Sequence, residues 1–114
     1  MRILIGTLLA TIAIACRQTT EAPTQLSVSL QANTSLVPRG DTVTFQVNAD
    51  GNNLVGVIID YGDDAMDQYA TGGALSARVT FKHAYSAAGS FTVRASVTDA
   101  IAGVKEATVS IVVN

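Results

Sequence analysis

Four aspartates fall within eight residues of this chain: Asp60, Asp63, Asp64 and Asp67. Carboxylates at that density, at a strand end and the turn after it, could converge on a hard cation such as calcium, which takes about six to eight oxygen ligands. The helical calcium-loop pattern is absent. Counted from Asp60, its third ligand position would be Gly62 and its twelfth Thr71. The other reading is local: Asp60 and Asp63 accept backbone N–H bonds and hold the turn, while Asp64 and Asp67 face water. Both readings stand on the residues alone.

His83 is the sole histidine. A catalytic histidine needs a nucleophile and an orienting acid beside it. No serine sits in a Gly-x-Ser-x-Gly setting. The expected role of His83 is to position the loop that leads to Tyr85, and no enzyme is expected. Asp60 and Asp63 could form a glycosidase-type carboxylate pair, but a domain this small offers no obvious cleft for a sugar chain. Arg39-Gly40-Asp41 spells an adhesion tripeptide, at a place where Gly and Asp are expected for a turn.

Cys16 is the only cysteine, so no internal disulfide exists. It follows Met1-Arg2 and an uncharged run from Ile3 to Ala15. That run is short of the ~20 residues a membrane span needs and suits the apolar part of a signal peptide. Ala13-Ile14-Ala15-Cys16 resembles a bacterial lipobox, in which the cysteine receives lipid after cleavage. Ala-x-Ala also fits the ordinary secretory peptidase, which would release a soluble protein. The position of the sole cysteine favours residues 1–15 as signal peptide and Cys16 as a lipid anchor. The polar stretch to Thr24 then serves as a tether of under ~30 Å at full extension.

The elements that must position these residues are strands. The 114 residues are 48% hydrophobic and 14% charged, part of the imbalance lying in the leader. The net charge is −2, or −3 without Arg2 (six basic against nine acidic groups), so no nucleic-acid partner is expected. From Gln25 onward the hydrophobic period is two. Leu26, Val28 and Leu30 alternate with serines, and Val43, Phe45 and Val47 with Thr44 and Gln46. Val55, Val57 and Ile59 form a third inward set, with Ile58 out of phase. Val79 and Phe81 make a fourth. Phe91 to Val97 and Val109 to Val113 finish the pattern. They leave Thr92, Arg94, Ser96, Thr108 and Ser110 on an outward face. Pro38-Arg39-Gly40, Asp50-Gly51-Asn52-Asn53, Gly72-Gly73, Ala88-Gly89 and Ala102-Gly103 read as turns. Residues 25–114 are therefore expected to fold as two packed antiparallel sheets of six or seven short strands.

Ile59-Asp60-Tyr61-Gly62-Asp63-Asp64 resembles the Trp-Asp-Phe-Gly-Asp-Gly signature of the polycystic kidney disease (PKD) repeat. His83-Ala84-Tyr85, Gly89, Phe91 and Val93 are similar to its His-x-Tyr-x-x-x-Gly-x-Tyr-x-Val, and Val97-Thr98-Asp99 continues it. Gly40 to Phe45 resembles its second-strand entry. Ile59 stands where the family has tryptophan, Tyr61 where it has phenylalanine and Asp64 where it has glycine.

The resemblance implies an immunoglobulin-like β-sandwich of about seven strands. Within it Ile59 would fill the core slot, and Tyr85, before Gly89, would act as a tyrosine corner bonding back to local backbone. It also implies a non-enzymatic extracellular module. With the leader, the expected function is envelope-anchored binding of an envelope protein or polysaccharide, in contact with the membrane through lipid. The alternative is a passive structural or spacer domain, in either case with calcium as the one candidate cofactor.

Overall fold

β-branched residues in alternation dictate the architecture, because each strand can bury only one side. The computed structural model describes residues 25–114. The signal peptide, Cys16 and the tether lie outside the described residues. Six strands follow one another: β1 (Ser27–Ala32), β2 (Leu36–Val37), β3 (Thr42–Asp60), β4 (Met66–Ala84), β5 (Gly89–Asp99) and β6 (Gly103–Val113). No described helix is long and apolar enough to cross a membrane.

The expected all-β, immunoglobulin-like sandwich is what forms, with six strands rather than seven. The difference lies in β3. The strand around Phe45 and the strand around Ile59 are one continuous 19-residue element. Its first half pairs with β1, Ala32 opposite Phe45. Its second half pairs with β5, Ile59 opposite Ala95. β4 follows β3 antiparallel on its other side, from Asp60 opposite Met66 to Thr42 opposite Ala84. Both long strands thus pass from one layer to the other. β6 pairs antiparallel with β5, and β2 adds a two-residue parallel edge to β6.

The passage between layers explains the misplaced turns. Asp50-Gly51-Asn52-Asn53 and Gly72-Gly73 were expected to end strands. Instead they lie inside β3 and β4, where the register shifts between Asp50 and Leu54 and again between Leu54 and Gly56. The shift reverses the phase at one expected core residue. Val55 is 50% exposed, while Leu54 is fully buried. Beyond the shift the phase is as expected: Val57 and Ile59 are buried and Ile58 is 40% exposed.

One core holds the layers together. Val43, Phe45, Val47, Leu54, Ile59, Val93, Ala95, Val97 and Ile111 are all at 0% exposure. Each fully buried aliphatic side chain contributes about 1.5–3 kcal/mol. Ile59 occupies the centre, so Ile59→Ala is expected to cost about 2–5 kcal/mol through lost methyls and the cavity left behind. Val55→Ala on the exposed face is expected to cost less than about 0.5 kcal/mol. Urea denaturation of both variants checks the strand phase, and equal losses would overturn it.

Candidate functional site

Each end of the sandwich has its own polar cluster. The first is built on the loop between β3 and β4. Asp60 Oδ1 accepts the Gly62 N–H at 2.9 Å, and Asp63 Oδ1 accepts the Ala65 N–H at 3.3 Å. Both are short-range carboxylate turns. Gly62 has φ +87°, and a Cβ there would lie 2.6 Å from the Thr92 carbonyl oxygen. Only glycine lets the loop lie this close to β5. Asp64, in place of the family's glycine, still takes the left-handed conformation with φ 73°. Aspartate tolerates that region better than most side chains, so the turn survives the replacement.

Aromatic rings cover this loop. Tyr61 and His83 stack at 4.0 Å between centroids, with 6° between planes. His83 meets the edge of Tyr85 at 4.8 Å, and Tyr85 stacks on Phe91 at 4.7 Å. The other carboxylate oxygen of Asp63 lies 2.7 Å from His83 Nε2. His83 thus holds the Asp63 loop against β4, a different loop from the one leading to Tyr85 that it was expected to position.

The Tyr85 hydroxyl donates to the Tyr61 carbonyl at 2.9 Å. This corrects the expected tyrosine corner, whose bond stays within a few residues of the tyrosine. Here it reaches 24 residues back and joins two loops. The Tyr61 hydroxyl donates to Asp67 Oδ2 at 2.7 Å. Burial, then the bond to Asp67, pushes the Tyr61 hydroxyl well above its ordinary value. Burial, then the charges of Asp63 and Asp60, raises Tyr85 to about 12. Both phenols therefore remain protonated donors at neutral pH.

The four aspartates do not share a centre. Asp60 and Asp63 cap their own turns, Asp63 also holds His83, and Asp67, exposed as expected, also accepts from Tyr61. Among the described residues no group of three or more His, Cys, Asp or Glu side chains is placed to hold a metal ion. Asp60 and Asp63 make the bonds of the turn reading. Gly89 opens β5, opposite Val113.

The second cluster is centred on Asp99, where the loops at Asp50–Asn53 and Asp99–Gly103 meet. Asp99 is 2% exposed and accepts four backbone N–H groups. Asn52 and Asn53 donate to Oδ2, each at 2.7 Å. Ile101 and Ala102 donate to Oδ1 at 2.8 and 2.9 Å. The carboxylate thus ties the layer crossing of β3 to the β5–β6 turn. A Cβ on Gly51 would collide with Asp99 Oδ2, so the crossing needs glycine there. A buried Asp after a strand and a Gly-Asn-Asn stretch were the available signals, but nothing in the sequence pairs them across 47 residues.

Between these clusters lies the outer face of β3, β4, β5 and β6. Gly56 stands opposite Thr98 and Ala70, Ile58 opposite Ser96 and Gln68, and Asp60 opposite Arg94 and Met66. The missing side chain at Gly56 opens a trough of about 460 Å³, bordered by Val55, Ile58, Gln68, Tyr69 and Thr98. Thr92, Arg94, Thr108 and Ser110 are exposed as expected. Arg94 and Glu106 pair at 3.5 Å, half exposed, a bond that adds little stability.

This fold and this loop define a class. Residues 26–113 match the PKD domain family, and the chain belongs to it. Solved structures agree on the fold. The PKD domain of an M14-like peptidase from a Thermoplasmatales archaeon is 18% identical, with a TM-score of 0.63 over 83% of this chain and 98% of its own. The PKD domain of the human VPS10 domain-containing receptor SorCS2 is 20% identical, with a TM-score of 0.55 over 100% of this chain and 92% of its own. A CARDB domain from Pyrococcus furiosus, solved with di-metal ions, is 17% identical, with a TM-score of 0.61 over 83% and 97%. Among curated proteins none matches the sequence. PKD domains are in general non-catalytic modules of extracellular or exported proteins.

The Asp99 geometry sets a pH dependence. Burial alone would raise this carboxyl, but the N–H groups of Asn53, Ala102, Ile101 and Asn52 outweigh it and hold it at about 2, below the ordinary 3.8. The folded value is depressed, so the stabilisation is complete above about pH 4 and drains as pH falls towards 2. Thermal melts of the native protein are expected to lose stability over that window. Asp99→Asn is expected to melt lower at pH 7 and to depend less on pH below 4. Parallel acid profiles for the two proteins would refute the assignment.

Proposed function

We propose that this PKD domain is a non-enzymatic binding module, exported and held at the cell envelope by lipid on Cys16. It engages an envelope protein or polysaccharide through the face that carries the Gly56 trough. The observation that carries the binding reading is this trough. Val55 and Ile58 are exposed apolar groups at its border, beside the small or polar Gly56, Ala70, Gln68 and Thr98. Concave apolar surface flanked by a few polar groups, here Gln68 and Thr98, is the usual make-up of a recognition site. The rest of the domain supports a rigid platform, with the turns at both ends pinned by buried hydrogen bonds. His83 and Asp63 are committed to each other and to the loop, which supports a non-catalytic role.

The leader and the general occurrence of PKD domains in exported proteins support the location. A short tether keeps the trough near the membrane, which favours an envelope component over a distant target.

The test uses a photo-reactive side chain at position 58 in intact cells, with the same group at Ser29 on the opposite layer as control. A discrete adduct from position 58 only is expected. No adduct from either position would leave a passive spacer. Mass spectrometry of the N-terminal peptide from the same cells is expected to show lipid on Cys16, and an unmodified thiol would remove the anchor from the proposal.

A further inference from the structure

The open edge of β4 is unused by the fold. Among the described residues β4 pairs with β3 along both of its halves and with no other strand, so one side of its 19 residues presents unpaired backbone donors and acceptors. Edge strands are ordinarily short, or guarded by charge or proline. From Gln68 to Ala77 β4 carries neither a charged residue nor a proline, and Met66, Tyr69 and Leu75 are exposed along it.

Because β4 changes layers, this edge has two halves on one flank of the sandwich. Residues 66–71 border the layer of β5 and β6, and residues 76–84 border the layer of β1. The first half runs away from the Tyr61 end and the second runs back to it, where His83 meets Asp63. The chain reverses between them at Gly72-Gly73, with φ 62° and 88°. The halves differ in charge. Asp67 lies in the first, with Asp64 just before it, whereas Arg78 and Lys82 lie in the second.

We propose that two copies of this chain pair through this flank, the 66–71 half of each adding antiparallel to the 76–84 half of the other. A two-fold axis parallel to the strands produces this pairing, since the two halves run in opposite directions. It joins the acidic half of each copy to the basic half of its partner copy. The other two-fold arrangement pairs like halves and opposes Arg78 and Lys82 to their own equivalents, which repel. Charge therefore selects both the partner and the arrangement.

Sedimentation of the protein purified from expressing cells in mild detergent tests this. The native protein is expected to form a dimer. Gln68→Lys places a positive charge against Arg78 and Lys82. Arg78→Glu with Lys82→Glu places negative charges against Asp64 and Asp67. Each variant alone is expected to self-associate at least about tenfold more weakly. In an equimolar mixture one of the two contacts of a mixed dimer is native, Asp64 and Asp67 against Arg78 and Lys82, so the mixture is expected to associate more tightly than the double-glutamate variant alone. Equal melting midpoints show that the fold is kept, and Tyr69→Lys replaces the first variant if its midpoint drops. A native protein that stays monomeric as concentration rises, or a double-glutamate variant that associates as tightly as the native, overturns the proposal. The 66–71 half shares Gln68 and Tyr69 with the trough, so the Arg78→Glu, Lys82→Glu variant, which lies outside it, separates the two when it loses the dimer and keeps the position-58 adduct.

Discussion

The carboxylate of Asp99 holds the point where β3 leaves one layer for the other. A strand that changes layers must break its ladder, and a broken ladder leaves backbone donors without partners. Asn52 and Asn53 are at that break, and Asp99 accepts both of their N–H groups. The Ala100 N–H donates in return to the Asn53 carbonyl at 2.9 Å. These bonds serve the backbone at the crossing, and Leu54 beside it is fully buried. Everything downstream depends on that break. It sets the phase that turns Val57 and Ile59 inward and leaves Val55 and Ile58 on the surface.

The opposite end uses ring packing rather than a buried charge. Tyr61, His83, Tyr85 and Phe91 form a continuous stack and edge series from the β3–β4 loop to the start of β5. Phe45 adds to it from below, 5.6 Å from Tyr61. These rings provide a large apolar area where the family's tryptophan is absent, and their polar tips tie down backbone and carboxylates. The acidic loop is consequently a structural clamp. Its charges are used to hold Tyr61, His83 and the turn N–H groups.

With both ends clamped, the face between them is free to be shaped by small residues. Gly56, Ala70, Ser96 and Thr98 make it low, and Val55 and Ile58 give it apolar borders. The same economy leaves β4 without an outer neighbour. A PKD fold so built offers a platform and an edge.

By itself the sequence determined the strand content, the inward phase of most strands and the family, because alternation and the Asp-Tyr-Gly-Asp and His-x-Tyr motifs are local properties. The turn role of Asp60 and Asp63 was legible for the same reason, since an aspartate caps a residue two positions ahead. Tertiary structure alone decided that two expected strands are one, that Val55 faces out, and that Asp67 bonds Tyr61. It alone decided that Tyr85 reaches Tyr61 and that Asp99 receives four N–H groups. Apart from the Tyr61–Asp67 bond, which spans one tight loop, each of these is a contact between segments far apart in the chain, or a phase change at a bulge. A period-two pattern records neither, because it describes each strand's two faces and not which strand, or which loop, lies against them.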